Sequence, residues 1–367
     1  MNVWALIDII SLLTVAAFTG FLIPQILLIA FKKQLFDLPD ERKVHTLPVP
    51  RLGGLAFLPV ILFTVLLSFG FGMLTYSSWA FQIPIDTITE CMFLACGALS
   101  LYIVGIADDL IGVRYMAKFI VQIFAAALLV IANLILNDMH GLFGLETINI
   151  VVAIFLTILL IVFITNAINL IDGIDGLASG LSTIACLVYC IFFYQNGLYL
   201  FSQISICLMG ALVTFFLYNV FGDPKRHKKI FMGDTGALTV GIILSAMSLR
   251  LCNEVDSPGQ YNYAVIAFSP LLVPCMDVVR VYMHRIRNRT NPFLPDKNHI
   301  HHKLLAAGLH QRTAMISIIS FSAVLSGLNI WLSTYLNITI LLAIDVVIWV
   351  ILNIWLSSRI KKRKQAQ

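Results

Sequence analysis

Apolar residues in this chain gather into eleven runs, at 5–30, 53–73, 91–107, 119–136, 148–164, 177–194, 198–220, 237–249, 263–281, 314–332 and 338–356. A helix of about twenty apolar residues crosses the roughly 30 Å hydrocarbon layer of a bilayer. The pattern therefore predicts an all-α polytopic membrane protein with about eleven transmembrane helices. The run at 237–249 is the shortest and has the least definite ends. The first run is too long for a signal-peptide core and lacks a basic segment or a small-residue cleavage pattern, which predicts a retained span.

Composition agrees with this pattern. The chain has 367 residues, of which 59% are apolar and only 12% are Asp, Glu, Lys or Arg. Its mean hydropathy is +0.92, which excludes a soluble domain of this length. The seven cysteines fall mostly inside apolar runs without CxxC spacing, so they predict packing thiols rather than a disulfide framework or a zinc site. No internal repeat or low-complexity segment is present. The longest polar connection, 282–313, is too short to hold a core of its own.

Charge then orients the helices. If the runs alternate in direction, 23 of the 24 Lys and Arg residues fall on one side, and only Arg250 falls on the other. The positive-inside rule makes that side the cytoplasm, with the N-terminus outside and the C-terminus cytoplasmic. Asp108, Asp109, Asp172, Asp175 and Asp234 lie on the same side, as do His45, His227, His299, His301 and His302. Charge is expensive in a bilayer and tolerable toward its faces. Acids repeated at helix ends, in a chain so poor in charge, predict one polar site facing the cytosol. A single membrane domain, 1–367, would build it from connections 32–52, 108–118, 166–176, 221–236 and 282–313.

Four motifs supply the candidate chemistry. Asp108-Asp109 closes an apolar helix at its C-terminus, where negative charge opposes the macrodipole; a solvated helix end is the plain alternative. In Asn166-Ala-Ile-Asn169-Leu-Ile-Asp172-Gly-Ile-Asp175-Gly, the three-residue spacing would stack two amides and a carboxylate near one helix face. Such oxygen-only donors suit Mg²⁺, which leaves coordination sites for substrate phosphates; a polar interhelical network is the alternative. Phe231-Met-Gly-Asp234-Thr-Gly236 puts an acid just before a helix, where it would also serve as an N-cap. His299-Ile-His301-His302 lies among Arg285, Arg287, Arg289, Lys297 and Lys303, and that cationic surround favours phosphate over zinc. Two further acids predict plain contacts: Asp345 a helix–helix polar contact, and Asp277 a pair with Arg280 one turn on.

Together these motifs resemble the polyprenyl-phosphate N-acetylhexosamine-1-phosphate transferases (glycosyltransferase family 4), over nearly the whole chain from Asp37 to Gly308. Arg42-Lys43-Val-His45 with Pro50-Arg51-Leu-Gly53-Gly54, and Asp296-Lys-Asn-His299-Ile-His301-His302-Lys303, resemble the branch that starts O-antigen, enterobacterial common antigen or wall teichoic acid. The phospho-MurNAc-pentapeptide transferases form the alternative branch. Their Thr-Met pair before Gly-Gly and their consecutive His triplet are absent here.

The resemblance implies transfer of N-acetylglucosamine-1-phosphate, or a related sugar phosphate, from a UDP-sugar to undecaprenyl phosphate, with UMP released. It implies Mg²⁺, with Mn²⁺ as substitute, on Asn169 and Asp234. Asp108 and Asp109 would be the catalytic pair, with His301, and Lys118 would contact phosphate. Asp172 and Asp175 would line the nucleotide pocket, with the Phe231 ring against uracil. His299 and His302, with Arg51, would complete the substrate contacts. The implied partners are the UDP-N-acetylhexosamine, undecaprenyl phosphate and membrane lipid, without nucleic acid, and a homodimer is compatible with them. The implied place is the bacterial cytoplasmic membrane. An ion-coupled secondary transporter is the rival class, but transporters hold their acids near the midplane of broken helices, whereas these stand at helix ends.

Overall fold

In the computed structural model, residues 3–36, 48–74, 83–254, 261–289 and 298–366 are described. The motif residues Arg42, Lys43, His45, Asp296 and Lys297 lie outside them. The helices are α1 (Val3–Lys33), α2 (Phe57–Leu74), α3 (Ile85–Ile111), α4 (Tyr115–Ile131), α5 (Ile150–Ile171), α6 (Leu177–Gln195), α7 (Tyr199–Phe221), α8 (Gly233–Cys252), α9 (Tyr263–Phe268), α10 (Leu272–Arg287), α11 (Ile300–Ala306), α12 (Gln311–Leu332) and α13 (Ile338–Ala366). Ten helical segments are long and apolar enough to cross a membrane, and the shorter apolar helix α4 makes an eleventh. Each predicted run thus has its helix, and no strand is present among the described residues. The chain is a polytopic all-α membrane protein.

The differences lie at the boundaries. The ninth run is two helices, α9 and α10, joined by a 3-10 turn at Ser269–Leu271 where Pro270 removes a backbone donor. The fifth run continues to Ile171, so Asn166 and Asn169 stand in the last turns of α5 rather than in a connection. The eighth starts at Gly233 and takes Asp234 into its first turn.

Helix α8 is the centre of the bundle. It packs against α3, α5, α6, α9 and the 3-10 turn Gly53–Ala56 that leads into α2. In its most apolar window 94% of the residues are buried, against 22% for α13, and its hydropathy of 1.6 is the lowest of the ten spans. A helix surrounded by protein does not need a lipid-facing surface, and Thr235, Thr239, Ser245 and Ser248 are fully enclosed. Three of these hydroxyls donate back to the helix's own carbonyls: Thr239 to Thr235, Ser245 to Gly241 and Ser248 to Leu244.

Small residues bring the neighbours close, as they do generally between membrane helices. A Cβ at Gly241 would sit 2.7 Å from Thr165 Cα on α5. One at Gly105 would run into the backbone of Thr235, and one at Gly54 into that of Gly236.

At the end of α8 away from Asp234, Arg250 is held between Glu90 at 3.1 Å and Glu254 at 2.5 Å. The expected contact of Asp345 is an acceptance from Asn329 Nδ2 at 2.8 Å, joining α13 to α12.

The close approach at Gly54 sets a direct test. Overpacking of a tight core costs about 1–3 kcal/mol, and here the obstructing atoms are backbone. Gly54→Ala should lower the melting temperature of the detergent-solubilised protein by several degrees, while Gly70→Ala, where a Cβ meets nothing within 4 Å, should leave it unchanged or slightly raised. Equal melting temperatures in the two variants would show that the turn before α2 and helix α8 are not packed through glycine.

Candidate active site

Helix α8 begins inside the protein, so its first N–H groups need a protein partner. Its own N-cap position, Met232, offers no side-chain acceptor. Asp109, from the last turns of α3, supplies one. Its Oδ1 accepts from Asp234 N at 2.8 Å, and its Oδ2 accepts from Thr235 N at 2.9 Å and Thr235 Oγ1 at 2.6 Å. The acid that opposes the dipole of its own helix thereby complements the dipole of another. Asp234 is an N-terminal residue of α8 but not its cap.

The neighbouring carboxylate points elsewhere. Asp108 Oδ1 accepts from Val113 N at 2.7 Å, which folds the turn into α4. Its Oδ2 lies 3.0 Å from Lys118 Nζ, and the same ammonium lies 2.8 Å from Asp234 Oδ2. Lys118 thus bridges acids from α3 and α8, and all three side chains keep some exposure, at 24%, 16% and 15% for Lys118, Asp108 and Asp234. Acids from two motifs far apart in sequence, joined by Lys118, form one partly open, charged cluster.

The first connection is fastened to this cluster through its backbone. Phe231 N donates to Pro50 O, Gly53 N to Phe231 O and Gly54 N to Met232 O, each at 2.8 Å. Gly233, at φ +76°, lies under the Arg51 carbonyl, and a Cβ there would sit 2.5 Å from Asp109 Oδ2. Only glycine serves at this point, for both its left-handed backbone and its lack of a side chain. The Arg51 charge acts on Asp172. Burial pushes the Asp172 carboxyl up to about 7; Arg51 opposes that shift, and the like charges of Asp175, Asp234 and Asp109 reinforce it. The turn 172–176 is secured by Asn219, whose Oδ1 accepts from Gly176 N at 2.6 Å and whose Nδ2 donates to Ile230 O at 2.8 Å. Asp175 pairs with Lys229 at 2.6 Å, and that ammonium stands 5.9 Å from the centre of the partly exposed Phe231 ring.

The histidines adjoin the same turn. His301 is 1% exposed and packs its ring on Gly173, where any Cβ would collide with it. Among the described residues, neither ring nitrogen has a hydrogen-bond partner. Burial, helped by the charges of His302, His299 and Arg280, lowers its pKa to about 3. It is therefore a neutral imidazole at physiological pH, with one donor and one acceptor rather than a positive charge. His302 lies 4.2 Å from it, ring to ring, and His299 stacks 5.8 Å away at 3°.

The predicted amide–acid stack divides. Asn166 pairs with Gln122 of α4, donating to its Oε1 at 2.7 Å and accepting from its Nε2 at 3.3 Å, which is an interhelical contact. Asn169, partly exposed, makes no side-chain hydrogen bond among the described residues. No group of three His, Cys, Asp or Glu side chains able to hold a metal occurs among the described residues. One carboxylate and one amide fit Mg²⁺, a hard ion that keeps water and takes phosphate oxygens instead of a full protein cage. A softer ion seeking thiolates or imidazoles is not served by this set.

Three contributors have weak signals in the sequence. Asn219 is an isolated amide at the end of an apolar run, Lys229 one of four clustered cations, and Gln122 the one polar residue of α4 after Lys118.

Comparison with known proteins gives concordant matches. Residues 91–252 match the profile of glycosyl transferase family 4. The chain is 34% identical to a probable undecaprenyl-phosphate N-acetylglucosaminyl 1-phosphate transferase of Bacillus subtilis (strain 168), covering 92% of this chain and 89% of that one. It is 31% identical to a decaprenyl-phosphate N-acetylglucosaminephosphotransferase of Mycolicibacterium smegmatis, over 83% and 77%. With the undecaprenyl-phosphate alpha-N-acetylglucosaminyl 1-phosphate transferase of Salmonella typhi, identity is 28% over 87% and 82%.

The contact of His301 with Gly173 separates shape from chemistry. Gly173→Ala should lower the melting temperature, and adding His301→Ala should restore much of that loss, because residues in contact are not additive. Melting curves of the four proteins of this cycle measure it; additive losses would mean that the ring does not rest on Gly173.

Proposed function

The chain belongs to glycosyl transferase family 4, and on that premise we propose that it transfers N-acetylglucosamine-1-phosphate from UDP-N-acetylglucosamine to undecaprenyl phosphate in a bacterial cytoplasmic membrane, with its site facing the cytosol. The observation that carries the proposal is the Lys118 ammonium held between Asp108 and Asp234, beside a turn of acids and a buried histidine. A reaction between two anions needs such alternating charge.

In the proposed reaction a phosphate oxygen of the lipid attacks the β-phosphorus of the donor, the bond to the bridging oxygen breaks, and UMP leaves. One phosphoanhydride replaces another, so the reaction is near balance in both directions. Phosphoryl transfer asks a protein mainly for positioning and charge neutralisation. Lys118 would hold the acceptor phosphate, with Asp108 keeping its ammonium in place. Asp109 would act through α8 by fixing Asp234. Asp172, Asp175 and Phe231 would receive the nucleotide, and Arg51 would meet the donor's phosphates. His299, His301 and His302 would hydrogen-bond the diphosphate or the sugar. Asn169 and Asp234 would hold Mg²⁺, whose charge, when bound, offsets that of the phosphates. A phosphate monoester is already largely ionised at neutral pH, so no general base is required.

Two alternatives fit less well. A MurNAc-pentapeptide donor is disfavoured by the His-Ile-His-His sequence. A cation-coupled transporter is disfavoured because Asp108, Asp109 and Asp234 are engaged at helix ends and not at the midplane.

Purified protein with radiolabelled UDP-N-acetylglucosamine and undecaprenyl phosphate should give butanol-extractable label and UMP. EDTA should abolish the product and Mg²⁺ or Mn²⁺ restore it, while Zn²⁺ alone should not. Asp234→Asn should be reduced at least about 100-fold, the scale for loss of a charge-stabilising group, and Asp345→Asn far less. Full activity in a metal-free preparation would remove Asn169 and Asp234 from a metal role.

Orientation has its own test. In a cysteine-free background, a cysteine at Glu146 should react with an impermeant thiol reagent on intact cells, and one at Lys225 only after lysis. The reverse pattern would rule out a cytosolic donor.

A further inference from the structure

Asp277 on α10 has no exposed side-chain surface, yet its carboxylate is shared by three residues, Arg280, His299 and Ile300. Its Oδ1 accepts from Arg280 Nη2 at 2.7 Å, from Arg280 Nε at 3.3 Å and from Ile300 N at 3.0 Å. Its Oδ2 meets His299 Nδ1 at 2.9 Å. Arg280 also donates to the carbonyl of Asn298. One buried ion pair thus grips the three residues Asn298, His299 and Ile300. They lead into α11, a helix of only seven residues with no side-chain cap from His299.

Two consequences follow from chemistry. A carboxylate only accepts hydrogen bonds, so the proton facing Asp277 must sit on His299 Nδ1. Nε2 is then the ring atom left for anything else, and among the described residues the protein gives it no hydrogen bond. The second consequence is register. With Ile300 N fixed, α11 starts at a set height, and His301 one residue later meets Gly173.

We propose that Asp277 is a positioning residue for the transfer: it sets the tautomer of His299 and the height of the His299–His302 segment against the Asp172–Asp175 turn. The role rests on the proposed function, since it acts through a histidine assigned to the donor. Asp277 itself touches no substrate. The same logic governs metal-bound histidines, whose second nitrogen is fixed by a carboxylate partner. Removing one member of a buried, hydrogen-bonded ion pair also leaves the other uncompensated, so the test must separate positioning from stability.

The experiment is a double-mutant cycle in the purified full-length protein, with kcat and KM for UDP-N-acetylglucosamine and melting temperature measured for each variant. Asp277→Asn keeps the shape but turns a donor toward Nδ1. Asp277→Ser leaves room for water to bridge Nδ1 and the Ile300 N–H, and enters the same cycle should the first variant not accumulate. Each should lower kcat by roughly 10- to 100-fold, the range for loss of such a histidine partner, with a smaller change in KM. His299→Ala should give a comparable loss. The decisive value is the double variant, whose loss should fall clearly short of the product of the two single losses, because the part of the Asp277 effect that runs through His299 is already gone.

Multiplicative losses in kcat would overturn the positioning role and leave Asp277 a structural anchor. Unchanged kcat in both single variants would overturn it as well. A wild-type protein that transfers no label would overturn the transferase reading and this role together, and is distinguished by being scored before any variant.

Discussion

A helix packed within protein along nearly its whole length cannot rely on water for the backbone of its first turn, and its leading N–H groups must find acceptors within the fold. Helix α8 meets this constraint with the carboxylate of Asp109 from α3. Much of the site is arranged around that contact. It fixes the rotation of α8, and with it the direction of Asp234. It holds the end of α3 against α8, where the adjoining Asp108 can share Lys118 with Asp234. It also requires residue 233 to be small, which lets the Arg51 carbonyl lie over the turn. Two adjacent acids that the resemblance assigns together as a catalytic pair therefore differ in kind. Asp109 fastens two helices, while Asp108 remains beside a partly exposed ammonium.

The membrane-spanning helices were legible because the bilayer imposes a plain length and polarity requirement on each of them. The weakest run, 237–249, was weak for a physical reason. Helix α8 faces protein on all sides, so threonine, serine and glycine replace the leucines that lipid contact demands. Hydropathy measures exposure to lipid, and it fades where a helix is most central. Motif spacing likewise gave the members of the site but not their partners. Asn166 and Asn169 are three residues apart on one helix, yet one contacts Gln122 and the other does not. Their spacing fixes an angle around α5 and says nothing of what stands opposite. Asp277 was legible only as the i,i+3 partner of Arg280; its larger contacts are to residues 22 and 23 positions away, and no local pattern reports them.

Most charges of the site have a neighbour of opposite sign, and Asp109 rests instead on two N–H groups and a hydroxyl. Lys118 sits between Asp108 and Asp234, Lys229 meets Asp175, and Arg280 meets Asp277. Asp172 is the acid least well compensated, with a carboxyl near neutrality and Arg51 as the cation acting on it. His301 completes the set as a neutral, polar group under the turn. Anionic ligands entering this arrangement would exchange one set of ion pairs for another, and would not have to create a charged pocket from apolar surface.

The backbone bonds between residues 50–54 and 231–232 bear on how the protein is made. The first of these strips leaves the ribosome about 180 residues before the second. At roughly 5–20 residues per second, the connection after α1 waits on the order of ten to forty seconds for its partner. During that interval α1 to α7 can enter the membrane, but the turn over Gly233 does not yet exist and Asp109 has no helix to cap. The site closes only when α8 threads into the space its neighbours have left. Its assembly is thus a late event of biosynthesis, and a chain cut short before residue 233 would be a set of inserted helices with their acids still solvated at the membrane face.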